Sequence, residues 1–342
     1  MIKISPEESE TINRLRFICL LIVVMIHSAA YKQPEAIAQF SGEALQAAAN
    51  WHELFHTPPS LKILFILSGY LFFRHIGDCW NWKRDYLGKM ASRLTALGLP
   101  YMIWGGVSIA HNILLSKITW GDLTFSYLLH ALWPLDPMAS PAAGVFWFIR
   151  SLICFTLLSP LYYLIYKYCR HFTFLIAALL IFSPLPMRYM YGNAYLLLGG
   201  YLAYSGITLT RLCELFPAKF SLLPALVLSV IKCFHPEWLP FPHEAVSAVL
   251  LMLWLPTLVG ISSAIRLPSF CTPAAGMFLY AAHFAVCCYI SARCIRFLPN
   301  NLPMLVADLW ITMICATIIC LLVFALVRKI PYASYLLTGG RS

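Results

Sequence analysis

Charged side chains are scarce in this sequence. Asp, Glu, Lys and Arg make up 11% of the 342 residues, only 14 residues are acidic, and hydrophobic residues account for 61%. With a mean hydropathy of +0.76, the chain has too few polar residues to cover the surface of a soluble globule. The composition therefore excludes a soluble protein and predicts an all-α polytopic membrane protein.

Cysteine pairs at C-x-x-C spacing are absent, although the chain has twelve cysteines. Most of them lie within or beside apolar runs, where cysteine serves as a small hydrophobic residue. We therefore expect neither a metal nor a redox cofactor from them.

A basic face is absent as well. The net charge of +10 comes from residues spread between apolar runs, so no nucleic-acid partner is predicted.

Low-complexity tracts and internal repeats are also missing, so we expect one transmembrane domain over residues 1–342. Apolar runs that approach the length of a bilayer crossing are abundant. They cover residues 15–31, 61–73, 94–115, 144–168, 172–187, 194–210, 220–234, 245–265, 276–292 and 304–327. This pattern predicts about ten transmembrane helices.

The distribution of lysine and arginine predicts the orientation of these helices. With ten spans, both termini lie on the same side of the membrane. Sorting the loops places sixteen basic residues on that side and seven on the other, while Arg150 falls inside a run. Because basic loops stay in the cytoplasm, both termini are predicted to be cytoplasmic, as is the basic loop Arg74–Arg93. Residues 32–60 form the longest outer segment.

The first apolar run contains a histidine, His27, eleven residues after Arg16. In a continuous helix this spacing puts both side chains within about 20° of one face and about 16 Å apart along the axis. An ionisable group inside a membrane span is by default a candidate functional residue. The alternative is an arginine that sets topology and a histidine that packs between helices.

Further motifs follow in a defined order. Arg-x10-His at 16–27 is followed by Phe-x-x-Ser-Gly-Tyr-Leu at 65–71, a basic stretch that runs into Pro-Tyr at 93–101, Trp-Phe-x-Arg-x-Leu at 147–152 and Tyr-x-x-His at 280–283. The ordered set resembles the membrane-bound acyltransferase family 3, a large bacterial family that O-acylates glycans and related acceptors. One departure concerns the family's frequent Arg-x-x-Arg before Pro-Tyr. Here Ala96 stands at the second position, which leaves the completion of the donor site open.

The resemblance implies a reaction in which a cytoplasmic thioester, acyl-CoA, donates its acyl group to a hydroxyl. His27 is then the general base, or alternatively a transient acyl carrier, and Arg16 lies beside the donor. The donor phosphates are expected to bind the cations of the basic loop, which are Arg74, Lys83, Arg84, Lys89 and Arg93. This loop's alternative role is to set topology alone.

Acceptor binding is expected from polar and aromatic residues of the remaining motifs. These are Ser68, Tyr70, Trp147, Arg150, Tyr280 and His283. For His283 and Arg150 the alternative is a structural role, as a packing histidine and as the partner of a carboxylate. For Ser68, close helix packing is the alternative.

Residues 52–56 read His-Glu-Leu-Phe-His, which satisfies the H-E-x-x-H pattern of zinc hydrolases. Pro58 and Pro59 follow at once, and no third ligand is evident, so we do not expect a metal site. In the resembling family this segment is the outer loop before the second span.

The sequence thus predicts a multi-pass O-acyltransferase, most directly an O-acetyltransferase, of the bacterial inner membrane. Its acceptor is a cell-envelope glycan or a related hydroxyl compound, its donor is acyl-CoA, and no cofactor is bound permanently. The alternative is a transporter or flippase of a small polar solute or lipid-linked sugar. In that case the translocation path would be lined by Arg16, Arg150, His283 and Asp308.

Overall fold

The computed structural model describes residues 5–76, 80–134, 141, 144–182, 188–215, 217–297, 299 and 301–340; the side chains of 188–191, 212 and 215 are not described. Every regular element within these ranges is helical. The predicted run 172–187 therefore ends outside the described residues. The all-helical class predicted from composition is confirmed for the described part of the chain.

The α-helices are α1 Pro6–Ile26, α2 Pro34–Gln39, α3 Gly42–His56, α4 Ser60–Phe73, α5 Lys89–Arg93, α6 Leu99–Leu114, α7 Phe125–Leu132, α8 Trp147–Cys169, α9 Phe172–Ile181, α10 Arg188–Tyr204, α11 Leu209–Leu215, α12 Ala218–Phe234, α13 His243–Ala264, α14 Pro273–Cys294, α15 Leu302–Val327 and α16 Pro331–Thr338. Two π-helical segments, Trp82–Gly88 and Leu94–Gly98, flank α5. Each of the ten predicted apolar runs contains part of at least one α-helix.

Five helical segments in the described ranges are long and apolar enough to cross a bilayer. They are Pro6–Lys32, Gly144–Cys169, His243–Ala264, Pro273–Cys294 and Leu302–Val327. The helices in the other five runs are shorter, from 10 residues in α9 to 17 in α10 and α12. The multi-pass membrane architecture is confirmed by these apolar helices, and the count of ten spans stays a prediction.

The described residues form two compact units. The histidine unit comprises residues 5–64 and 207–324, and the basic-loop unit comprises residues 65–206 and 325–340. The names reflect the candidate residues that each unit contains: His27 and His283 belong to the first, and the basic loop Arg74–Arg93 belongs to the second.

Local sequence signals determine where α1 begins in the histidine unit. Ser5 caps the helix by accepting a 3.1 Å hydrogen bond from the backbone N–H of Glu8, and Pro6 occupies the first turn, where its missing N–H does no harm. The C-terminal end of α1 belongs to a cluster of buried small and apolar residues that also includes residues of α2, α3 and α15. Its buried members are Met25, Ala30, Ala36, Ala48, Ile295, Leu305 and Leu309.

Close helix packing in the basic-loop unit depends on glycine. A Cβ added to Gly69 on α4 would lie 2.1 Å from the carbonyl oxygen of Leu196 on α10, and one added to Gly199 would lie 1.9 Å from that of Ile66. Both distances are far below van der Waals contact, so each backbone touches the other directly. The Ser-Gly segment of α4 therefore mediates close helix packing, as one of its two predicted roles requires.

Candidate functional site

His27 lies at the C-terminal end of α1, not inside it. The helix ends at Ile26, and His27 is its C-cap residue, with a backbone N–H that donates to Val24 O at 3.1 Å. The predicted run through residue 31 lies in one helical segment, Pro6–Lys32, in which the α-helix ends at Ile26 and Ala30–Lys32 form a 3₁₀ turn. The imidazole of His27 is half-buried.

The predicted late motif supplies a second histidine beside His27. The ring of His283, on α14, has its centroid 5.1 Å from that of His27, with 47° between the ring planes. Phe284 contacts His27 edge-on, with centroids also 5.1 Å apart. The structure thus brings together two predicted site residues that are 256 positions apart in sequence.

Hydrogen bonding assigns the tautomer of His283. Its Nδ1 lies 2.8 Å from the carbonyl oxygen of Tyr280 and 3.1 Å from that of Leu279. A carbonyl only accepts, so Nδ1 carries the proton and Nε2 keeps a lone pair. His283 is fully buried, and Nε2 has no hydrogen-bond partner among the described residues. A buried acceptor of this kind is a ready site for a hydroxyl donor.

The other predicted residues of the histidine unit differ in accessibility. Tyr280 is 7% exposed, with its ring centroid 6.2 Å from that of His283. Arg16 has an exposed side chain, and the described part of the chain shows no hydrogen bond or ion pair to its guanidinium. A cation in this state is available to a ligand, whereas Tyr280 already packs in the core.

The H-E-x-x-H segment lies near the His27 end of α1. His52 of α3 is 2% exposed, and its Nε2 lies 2.7 Å from the carbonyl oxygen of Met25. Its Nδ1 lies 3.3 Å from the hydroxyl of Tyr31, so both ring nitrogens are engaged within the protein. The Nδ1 of His56 contacts its own helix, at the carbonyl oxygen of His52. No cluster of three or more metal-ligating side chains occurs among the described residues.

The basic loop contains one strong ion pair. The Nε of Arg84 lies 2.7 Å from Oδ1 of Asp85, and its Nη2 lies 2.8 Å from Oδ2, a bidentate arrangement. Asp85 is 1% exposed and also accepts from the backbone N–H of Asn81 at 2.8 Å. The guanidinium of Arg84 is thus occupied by this carboxylate, and its role toward a donor phosphate stays a prediction.

Two other cations of the loop converge on Phe72 at the end of α4. Lys89 donates from Nζ to the Phe72 carbonyl oxygen and lies 4.5 Å from the centre of the phenyl ring. The guanidinium carbon of Arg93 lies 5.4 Å from the same centre. Burial lowers the pKa of Lys89 to about 8, an effect that Arg93, Arg74 and Arg84 reinforce and Asp85 opposes.

The remaining predicted donor residues lie at the loop surface. Lys83 is exposed, and Arg74 donates from Nε to Nε2 of His75 at 2.8 Å. Arg93 also lines a small cleft together with Met90, Leu94, Ile153, Thr156 and Leu157. Ala96 stands where the family motif often has arginine, and its backbone is in close contact with Gly339. A Cβ added to Gly339 would lie 2.5 Å from the carbonyl oxygen of Ala96.

Predicted acceptor residues of the basic-loop unit are mostly enclosed. Arg150 is fully buried and donates from Nη1 to the carbonyl oxygen of Pro134 at 3.0 Å. Tyr70 is fully buried too, whereas Ser68 and Trp147 are half-buried. The partner of Arg150 given by this bond is a backbone carbonyl, so both its pairing with a carboxylate and its contact with an acceptor stay predictions.

One residue of this region was not predicted. His52 was considered only as a metal ligand, because the pattern H-E-x-x-H was its sole sequence signal. No sequence signal indicates that its ring bonds the carbonyl of Met25, since the two residues are 27 positions apart and lie on different helices.

Comparison with known proteins completes the description of the site. No curated protein and no solved structure gives a significant match to the chain. The family model described as an acyltransferase domain, acyltransferase family 3, matches residues 10–330, which include every predicted site residue. The chain therefore belongs to acyltransferase family 3 and is a membrane acyltransferase, an enzyme that transfers groups other than aminoacyl groups.

Proposed function

We propose that this membrane acyltransferase transfers an acyl group, most directly acetyl, from cytoplasmic acyl-CoA to a hydroxyl of a cell-envelope glycan or related acceptor. The observation that carries the proposal is the histidine pair at the C-terminal end of α1. The half-buried ring of His27 faces a buried partner, His283, which presents an unpartnered lone pair. A hydroxyl bound there has a proton acceptor at hand.

In this mechanism a neighbouring hydroxyl of the acceptor donates a hydrogen bond to His283 Nε2, and the reacting hydroxyl is thereby held with its own O–H directed at His27. The imidazole of His27 removes the hydroxyl proton as the oxygen attacks the thioester carbonyl carbon. The carbon–sulfur bond then breaks, and the thiolate of CoA takes the proton from His27. One ester and one free thiol form, so the reaction needs no oxidant and no further cofactor.

The basic loop is proposed to bind the phosphates of the donor. Lys89 and Arg93 lie over the same aromatic ring, and Lys83 is exposed at the loop surface. Arginine and lysine bind phosphate oxygens through charge-assisted hydrogen bonds. One π-helical segment within this loop, Trp82–Gly88, and a second directly after it, Leu94–Gly98, support a functional role, because π-helical turns are rare and are found frequently at functional sites.

The proposal includes ten spans, cytoplasmic termini and a bacterial inner membrane location. The five shorter helices become spans if flanking residues extend them or if the bilayer thins locally around them. Under this topology the basic loop contacts the cytoplasm, where acyl-CoA is made, and residues 32–60 lie on the outer side.

The test is transfer of radiolabel from [¹⁴C]acetyl-CoA to the envelope glycan fraction of the source cells, using purified protein in lipid nanodiscs. We expect thioester loss together with label in the glycan. His27→Ala should lower the rate at least 100-fold, the contribution of a positioned general base. The matched control is His235→Ala, because His235 is an exposed histidine of the same unit that stacks on Trp238 with ring centroids 4.2 Å apart.

Other outcomes contradict the proposal in distinguishable ways. Transfer that persists in His27→Ala removes the base assignment but leaves the acyltransferase intact. Movement of an unmodified solute without thioester loss favours the transporter alternative. If label reaches the glycan only from longer acyl-CoA donors, the transferred group is a longer acyl chain and not acetyl.

A further inference from the structure

The H-E-x-x-H segment contains a buried histidine that the proposed reaction does not use. His52 is 2% exposed and lies on α3, a 15-residue helix of the outer segment. Its Nε2 is 2.7 Å from the carbonyl oxygen of Met25 in the last turn of α1. Met25 is two residues before His27, so this contact connects α3 to the turn that carries the candidate base.

The hydrogen-bond partners of His52 define its protonation. Because the Met25 carbonyl can only accept, Nε2 must carry the proton that it donates. The neutral ring then has a lone pair on Nδ1, which accepts from the Tyr31 hydroxyl at 3.3 Å. Burial lowers the pKa of His52, which favours this neutral form. Every polar atom of the imidazole therefore has a partner in one defined tautomer.

The carbonyl that His52 contacts belongs to the end of a helix. The last carbonyls of an α-helix have no intrahelical donor. Side chains or a tighter turn supply the hydrogen bonds that these carbonyls accept. Met25 O also accepts from the backbone N–H of Ser28 at 3.0 Å and from the Ser28 hydroxyl at 2.8 Å. Ser28 is fully buried. The turn that contains His27 is therefore held by two hydrogen bonds from Ser28 and by one from His52, all to the Met25 carbonyl oxygen.

We propose that His52 is a positioning residue for His27: by donating to the Met25 carbonyl, it holds the C-terminal turn of α1 so that the His27 imidazole stays beside His283. Tyr31 supports His52 by donating to its other ring nitrogen. The inference rests on the proposed function for its catalytic consequence, but the position of His27 is a property of the fold and is measured without the reaction.

The test compares three variants in the full-length protein in nanodiscs. His52→Phe keeps a ring of similar size and removes the N–H donor. His52→Gln retains an amide N–H that can reach the same carbonyl. Glu53→Gln is the matched control, because Glu53 lies on the same helix and its carboxylate pairs with Lys232 at 2.6 Å.

Two readouts separate positioning from general stability. The first is the rate of label transfer from [¹⁴C]acetyl-CoA, resolved into its maximal value and the half-saturating donor concentration. We expect His52→Phe to lower the maximal rate at least tenfold with less than a twofold change in the half-saturating concentration. His52→Gln should recover most of that rate, and Glu53→Gln should stay within twofold of the original protein.

The second readout is the rate at which diethylpyrocarbonate modifies His27, measured by mass spectrometry. A loosened turn should raise this rate at least threefold in His52→Phe, and neither His52→Gln nor Glu53→Gln should raise it. If the original protein transfers no acyl group, the proposed function fails, and this readout still decides the inference. An unchanged His27 rate in His52→Phe, or a glutamine variant no better than phenylalanine, overturns it.

Discussion

At the scale of single residues, Lys89 has a charge that can be removed within an accessible pH range. Its pKa is lowered to about 8, chiefly by burial against Phe72. The ammonium form attracts phosphate, and the neutral amine does not. Because the pKa of the folded protein lies below the ordinary lysine value, the charge is present at pH 7 and is lost as the pH rises through 8.

We therefore predict that the half-saturating concentration of acetyl-CoA rises about three- to tenfold between pH 7 and pH 9. Lys89→Arg should flatten this dependence, because a guanidinium stays charged throughout the range. Lys83→Arg is the matched control, since Lys83 is exposed in the same loop. A pH profile that is the same in Lys89→Arg as in the original protein would assign the dependence to another group.

Residue types and spacing predicted some parts of the site and not others. The motifs indicate His27 and His283 as separate candidate residues, and only the fold shows that their rings are 5.1 Å apart. The engagement of Arg84 by Asp85 was missed, because a list of cations does not show which of them is already neutralised. The role inferred for His52 depends on a contact between distant helices, which no local pattern encodes.

At the scale of helices, the contact of α4 with α10 allows a direct test of packing. Gly199→Ala places a methyl group 1.9 Å from the Ile66 carbonyl oxygen, so one helix must move. Overpacking of this kind costs about 1–3 kcal/mol. We predict a clear fall in the melting temperature of the detergent-solubilised protein, measured by size-exclusion chromatography after heating.

Gly106→Ala is the control for this substitution. Gly106 lies in α6, and nothing lies within 4 Å of an added Cβ. Replacing glycine by alanine in a helix stabilises it by up to about 1 kcal/mol, so its melting temperature should be unchanged or slightly higher. Equal melting temperatures for the two variants would mean that α4 and α10 are not in tight contact in the membrane.

The positions of helices were largely predictable, and their local geometry was not. Each predicted apolar run contains part of a helix because continuous hydrophobic stretches in a bilayer must satisfy their backbone internally. The run that begins at residue 94 opens with five π-helical residues, Leu94–Gly98, before α6. Hydropathy does not distinguish α from π geometry, because it averages the polarity of residues along the sequence and contains no information on hydrogen-bond register. The short helix α16 lies beyond the last predicted apolar run, so hydropathy does not predict it.

At the scale of the whole molecule, the proposed reaction requires that the basic loop face the donor compartment and that the outer segment face the opposite side. The excess of lysine and arginine on one set of loops predicts this orientation. Two exposed residues report it: Lys83 in the basic loop and Gln39 at the end of α2. Each is replaced by cysteine, one at a time, in a cysteine-free background that retains acyl transfer.

We predict that a membrane-impermeant maleimide labels Gln39→Cys in intact cells and labels Lys83→Cys only after the membrane is opened. Both sites are exposed, so a failure to label intact cells reports the side of the membrane and not burial. Full labelling of both variants after permeabilisation is the control. Labelling of both from the outside would place the basic loop away from acyl-CoA. Lys89 and Arg93 could then not reach the phosphates of a cytoplasmic donor. The proposed direction of transfer would be wrong even with His27 as the base.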